Sequence, residues 1–232
     1  MELQLTSYAA APNAALQAGF DFPVSLTEKY RPRSLDQFVG LDKVKKIAAN
    51  LIAAPRSSAW LFLGPSGTGK TSMGLAIAEA MPAELHLIPS QECNLANIDR
   101  VRMMCQYVPR NLDDGRPCRW HLVLADEIDQ LTPAAQISLL SKLDATNFFP
   151  QTIFIGTCNA TDRLEPRFLS RFHVVEFSSY GIAGQVAELL ASVWQQNVAA
   201  DVPAPNFARM VKDSANNVRA ALMALEVEIM AA

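Results

Sequence analysis

Gly64-Pro65-Ser66-Gly67-Thr68-Gly69-Lys70-Thr71 decides how this chain is read. It follows the apolar run Ala59-Trp60-Leu61-Phe62-Leu63 and leads through Ser72 into a segment of helical character. A G-x-x-x-x-G-K-[ST] pattern between a strand and a helix is a phosphate-binding loop. Glycines let the backbone curl with no Cβ in the way. Successive N–H groups and the helix N-terminus then face an anion. The stretch Gly64, Pro65, Ser66, Gly67, Thr68, Gly69, Lys70, Thr71 and Ser72 is therefore the expected nucleotide contact. Lys70 is expected to reach the β- and γ-phosphates of ATP, and Thr71 to hold Mg²⁺ through its hydroxyl.

Outward from this loop, strand-like and helix-like runs alternate. Strands are expected at 59–63, 85–88, 121–125, 152–157 and 174–177. Helices are expected at 42–53, 71–81, 97–107 and 133–144. Near-continuous apolar strands separated by helices predict a parallel sheet covered on both faces. Pro133 suits a helix start, where its missing N–H costs nothing. Beyond Ser178 only helical patterns remain, at 182–198, 206–215 and 217–230, with Pro203 and Pro205 separating the first two. The expected architecture is α/β: a P-loop fold with a five-stranded parallel sheet flanked by helices, followed by a small all-helical lid domain. The expected divisions are an N-terminal arm at 1–24, a nucleotide-binding α/β domain at 25–178 and the lid at 179–232. The arm is rich in alanine and has no clear period.

The run His121-Leu122-Val123-Leu124-Ala125 ends in Asp126-Glu127. A carboxylate at a strand end beside a phosphate loop can hold Mg²⁺ through water, which fits Asp126. A second carboxylate can polarise the attacking water, which fits Glu127. Thr152-Ile153-Phe154-Ile155-Gly156-Thr157-Cys158 ends in Asn159, whose carboxamide can orient the lytic water and sense the γ-phosphate.

Half of the 232 residues are hydrophobic, enough for a substantial core. The net charge of −3 gives no strongly basic footprint for nucleic acid, though it leaves room for local DNA contacts. Cys93, Cys105, Cys118 and Cys158 form no C-x-x-C pair, which argues against a zinc ribbon. No apolar run approaches a membrane span and no basic flank precedes an apolar N-terminal stretch, so the chain reads as cytoplasmic.

In order and spacing these features resemble the AAA+ ATPases, and among them the clamp-loader small subunits of replication factor C type, over about residues 25–232. Leu26-Thr27-Glu28-Lys29-Tyr30-Arg31-Pro32, with Leu35 and Phe38-Val39-Gly40, is similar to the opening motif that packs over adenine in that family. The resemblance thus implies nucleotide contacts from Tyr30, Arg31, Val39 and Gly40. Asp126-Glu127-Ile128-Asp129 resembles the Walker B box, and Cys158-Asn159 resembles sensor 1. Ser170-Arg171-Phe172 resembles the Ser-Arg-Cys arginine-finger motif, with Phe in place of Cys. It implies that Arg171 enters a neighbouring subunit's site, with Arg167 a weaker candidate. Asn217-Val218-Arg219-Ala220-Ala221-Leu222 resembles the sensor 2 helix, which implies that Arg219 couples the γ-phosphate to the lid. Asn97-Ile98-Asp99-Arg100-Val101-Arg102 resembles the helix that tracks duplex phosphates and implies DNA contacts from Arg100 and Arg102.

The family's activity implies ATP hydrolysis with Mg²⁺ and a homo- or hetero-oligomer whose ATP sites are shared between subunits. The implied partners are DNA and a sliding clamp or another replication protein, with no membrane. Three departures stand out. The chain stops at Ala232, so the helical collar that follows the lid is expected to be missing. Leu140-Ser141 stands where many small subunits carry paired arginines. The zinc module of bacterial motor subunits is not seen. Two related readings share the ATP site: a branch-migration or helicase-loading motor, and a remodeller of protein partners. The latter usually has an aromatic pore loop, which Tyr107-Val108 matches poorly. A non-enzymatic ATP-binding subunit is the remaining reading, and the intact Glu127 argues against it.

Overall fold

In a computed structural model, residues 24–110, 115, 117–144 and 149–232 are described. The arm at 1–24 thus lies almost wholly outside the described residues. Five parallel strands form one sheet: β1 (Ser58–Leu63), β2 (Ala83–Ile88), β3 (Trp120–Ala125), β4 (Thr152–Cys158) and β5 (His173–Glu176), in the order β2-β3-β4-β1-β5. The helices are α1 (Leu26–Lys29), α2 (Asp42–Ala53), α3 (Lys70–Ala80), α4 (Leu95–Met104), α5 (Pro133–Lys142), α6 (Pro166–Leu169), α7 (Ala183–Asn197), α8 (Phe207–Asp213) and α9 (Val218–Ala231).

Strand periodicity explains why the apolar runs show no polar alternation. Ala59 and Leu61 of β1 face the same side as Val123, Phe154 and the buried residues of α4 and α5. Their neighbours Trp60 and Phe62 face the opposite side, against α2 and α3. Side chains alternate across a strand, so a sheet covered on both faces needs apolar residues at successive positions. A third cluster joins α7, α8 and α9 through Leu190, Trp194, Val211, Leu222 and Leu225, and Leu26 of α1 packs into it. Among the described residues no strand follows β5. No helix among them is long and apolar enough to cross a membrane.

Several boundaries differ from the sequence expectation. α5 ends at Lys142 rather than 144, and α4 runs from Leu95 to Met104 rather than over 97–107. Asn94 explains the earlier start of α4: its side chain accepts a hydrogen bond from Asn97 N at 3.1 Å and caps the helix. α1 and α6 have four residues each, too few to show a helical period.

Candidate active site

The sheet order places the site. The chain leaves β1 through the phosphate loop, passes to the edge at β2, and returns through β3 and β4 until β4 lies beside β1. The carboxyl ends of β1, β3 and β4 therefore converge where the strand order reverses, the usual position of a ligand crevice in such sheets. One pocket there is lined by Ser66, Gly67 and Gly69 to Ser72 together with Asp126, Glu127, Thr157, Asn159 and Arg219.

Lys70 opens α3 and is buried. Its Nζ donates to Gly64 O at 2.7 Å, Pro65 O at 2.8 Å and Asn159 Oδ1 at 3.0 Å. Burial pushes its pKa below the ordinary lysine value, while the nearby Asp126 opposes that shift. The ammonium thus closes the loop on itself and ties it to the end of β4. Gly64 sits where any Cβ would lie 2.1 Å from Phe177 O, so β5's exit leaves room only for glycine.

The carboxylates are organised by a threonine that the sequence reading passed over. Asp126 Oδ1 accepts from Thr71 Oγ1 at 2.8 Å and from Thr157 Oγ1 at 2.6 Å. Thr157 Oγ1 in turn accepts from Glu127 N at 3.0 Å. Glu127 adopts a left-handed conformation, φ 52° and ψ 53°, at the end of β3. That conformation costs a non-glycine residue about 1 kcal/mol. A second threonine in β4, beyond the apolar run Ile153-Phe154-Ile155, was the signal for Thr157.

Asn217 was likewise missed. Its Oδ1 caps α9 by accepting from Ala220 N at 3.1 Å, and its Nδ2 donates to Ser66 O at 2.9 Å. One side chain therefore holds the start of α9 against the phosphate loop and brings Arg219 to the pocket. Gly67, at φ 75°, sits so close that a Cβ there would come within 2.1 Å of Asn217 Oδ1.

Tyr30, Arg31, Val39 and Gly40 lie outside this pocket, along the seam between α3 and α7. Arg31 Nε donates to Ser72 Oγ at 3.2 Å. Tyr30 Oη donates to Gln196 Oε1 at 3.0 Å and accepts from Asn197 Nδ2 at 2.9 Å. Val39 packs against the α7–α9 cluster, and Gly40 lies against Ile182.

Arg171 is also outside the pocket. It is exposed between α6 and β5 and pairs with Asp144 at 3.0 Å. Phe172, where the resemblance expects Cys, is buried and meets Phe168 edge-on with ring centroids 5.0 Å apart. The core takes the phenylalanine and leaves the arginine facing solvent. Arg167 pairs with Glu165 at 3.6 Å.

Arg100 and Arg102 stand on α4, and neither has an ion pair among the described residues. Two positions on a helix differ by about 200° around the axis, so the two guanidinium groups leave α4 on different sides. Arg100 is exposed and Arg102 half-buried. Asp99, the residue before Arg100, pairs at 2.6 Å with Lys142, a buried residue of α5. Cys93 is buried near Asp126 and Asp129 and Cys158 near Asp129 and Lys70, and burial pushes both thiols up to about 12. They are protonated packing residues rather than nucleophiles.

The donor set fits a triphosphate and a hard divalent cation. A buried ammonium, a glycine-lined turn and backbone N–H groups suit anionic oxygens. A hydroxyl and a carboxylate 2.8 Å apart offer oxygen ligands, which Mg²⁺ prefers.

Replication factor C small subunit 1 of Pyrobaculum aerophilum is 33% identical over 154 residues, 65% of this chain and 46% of that protein. Human replication factor C subunit 4 is 28% identical over 214 residues, 88% of this chain and 58% of that protein. The chain thus spans about half the length of the curated relatives it matches. Among solved structures, the RuvB Holliday junction branch migration motor of Thermotoga maritima superposes with a TM-score of 0.65 at 21% identity, over 85% of this chain and 64% of that one. That likeness is one of fold. The family described as "ATPase family associated with various cellular activities (AAA)" matches residues 60–180. That match takes in the phosphate loop, both carboxylates and Asn159, just over half of the sequence, and the chain belongs to the AAA family.

Proposed function

We propose that the chain binds and hydrolyses ATP with Mg²⁺ and works as a clamp-loader-like motor in DNA replication or repair. In this reading it binds DNA and loads or remodels a ring-shaped partner. The observation that carries the ATPase reading is Lys70, buried at the start of α3 and bonded to both the loop carbonyls and Asn159. The similarity to replication factor C small subunits supports the choice of DNA and a clamp as partners.

Each residue then has a task. Lys70 exchanges its carbonyl partners for the β/γ-phosphate oxygens of ATP. Glu127 accepts a proton from water as that water's oxygen bonds to the γ-phosphorus. The bond to the β-phosphate oxygen breaks, and ADP leaves with the electron pair. Asn159 positions the water. Thr71 and, through water, Asp126 hold Mg²⁺, which when bound neutralises phosphate charge. Arg219 reports the γ-phosphate to helices α7–α9, which act as a lid over 179–232 against a nucleotide-binding unit over 25–178. Tyr30, Arg31, Val39 and Gly40 line the base side. Arg171 exchanges Asp144 for the phosphate of a neighbouring subunit.

The test is ATP turnover with and without primer–template DNA and a sliding clamp. Stimulation by both together is the expected result. Stimulation by branched DNA alone would replace this reading with a branch-migration motor, and indifference to DNA would favour a protein remodeller.

A further inference from the structure

At the opposite end of the sheet from the phosphate pocket, residues distant in sequence converge on one spot. His86 of β2, His121 of β3 and Cys105, the residue that ends α4, are all buried. One ligand atom from each lies within 4.8 Å of the other two. Glu84 joins them: it is His121's partner across the β2–β3 ladder, and its Oε2 lies 3.5 Å from His121 Nδ1. His86 is two residues along β2 from Glu84 and so shares its face. His121 sits about 16 Å along the strand from Asp126, which separates this cluster from the nucleotide site.

We propose that Glu84, His86, Cys105 and His121 bind a zinc ion. The spacing favours it. Zinc–nitrogen bonds of about 2.0–2.1 Å in a tetrahedron put neighbouring ligand atoms about 3.3 Å apart. His86 Nε2 and His121 Nδ1 are 2.9 Å apart, and His121 Nδ1 and Glu84 Oε2 are 3.5 Å apart. The ring orientation of His121 is set from behind. Its Nε2 lies 2.9 Å from Tyr107 O, and a carbonyl can only accept, so that nitrogen carries the proton. Nδ1 is left with its lone pair, which accepts from His86 Nε2 at 2.9 Å and is the electron pair a metal would take. A histidine that donates its far N–H to a backbone carbonyl is the usual support of a metal ligand.

The donor chemistry selects the metal. One sulfur, two imidazoles and one carboxylate suit zinc, whereas Mg²⁺ and Ca²⁺ prefer oxygen. A thiolate and a carboxylate together neutralise the ion's two positive charges in a buried setting. On binding, Cys105 releases its thiol proton to solvent, and the proton that His86 Nε2 donates to His121 Nδ1 moves to His86 Nδ1, which frees Nε2 for the ion. Glu84, only half-buried, gives the ion a route from solvent. The ion would pin the end of α4 and the carbonyl of Tyr107 to β2 and β3. The site has no C-x-x-C spacing because its ligands come from three elements, which is why cysteine spacing gave no hint of it.

The test uses the full chain, stripped with a chelator and titrated with Zn²⁺ alone and with Co²⁺ alone. One Zn²⁺ per chain should bind, raising Tm by about 5–10 °C at a hundredfold excess over Kd. Co²⁺ should give a thiolate charge-transfer band and tetrahedral visible bands. Cys105→Ser should abolish the charge-transfer band. His86→Gln and His121→Gln should each weaken Zn²⁺ binding about a hundredfold, and Glu84→Gln about tenfold. Substoichiometric Zn²⁺ overturns the proposal. So does a wild-type Co²⁺ complex without the thiolate band, a measurement that does not depend on any variant folding. Stoichiometric zinc that is lost in Asp126→Asn but kept in Cys105→Ser would place the ion in the phosphate pocket and also overturn it.

Discussion

Thr157 carries more of the site than its type suggests. Its hydroxyl donates to Asp126 and accepts from Glu127 N, so one oxygen fixes both acidic residues relative to β4. Thr157→Val keeps the shape but removes both bonds. It leaves Glu127 N without its partner and Asp126 with one donor fewer. The expected loss is about 2 kcal/mol of stability and about tenfold in ATP turnover, read by urea unfolding and by phosphate release. A variant as stable and as active as the wild type would mean that the backbone alone holds the carboxylates. Lys70, Thr71, Asp126, Glu127 and Asn159 were legible in the sequence because each follows an apolar run at a strand end or opens a helix. Thr157 was not, because it lies inside a strand and its role depends on which strand lies next to it.

Among the elements, β1, β3 and β4 were legible because burial on both faces removes polar alternation and leaves short apolar blocks. α1 and α6 were not, being single turns. The contact between α9 and the phosphate loop also escaped the sequence reading. Asn217 is an ordinary helix cap by sequence, and only the fold reveals that its amide reaches Ser66. Gly67 is the other half of that contact. Gly67→Ala would place a Cβ 2.1 Å from Asn217 Oδ1 at a φ of 75°. The side chain of Asn217 must then give way, releasing the start of α9. The expected outcome is about 1–3 kcal/mol less stability and a fall in ATP affinity of about tenfold or more, measured by thermal unfolding and nucleotide titration. Unchanged affinity would show that α9 does not depend on this contact to present Arg219. The histidine pair is a further case. His86 and His121 are 35 residues apart and meet only because β2 and β3 are neighbours.

For the molecule as a whole, Arg171 and Arg219 lie in different places. Arg219 reaches its own chain's pocket, while Arg171 points away and is held by Asp144. If Arg171 serves a neighbour, Arg171→Ala lowers turnover about 10³-fold or more and leaves ATP binding intact. Mixing it with Glu127→Gln should restore part of the activity at mixed interfaces. No recovery in such mixtures would reject shared sites. DNA contact should follow helix geometry: Arg100→Ala should weaken binding to primed DNA and its salt dependence more than Arg102→Ala, because Arg100 is the exposed one. Equal effects would place both on the duplex. The proposed hydrolysis depends most on Glu127 as the group that takes the proton from the attacking water. Parallel measurement of ATP affinity and phosphate release for wild type and Glu127→Gln tests that directly. The amide keeps the size of the carboxylate but cannot accept the proton, so ATP affinity should stay within about threefold while release falls about 10²–10⁴-fold. Phosphate release by Glu127→Gln at the wild-type rate would contradict it.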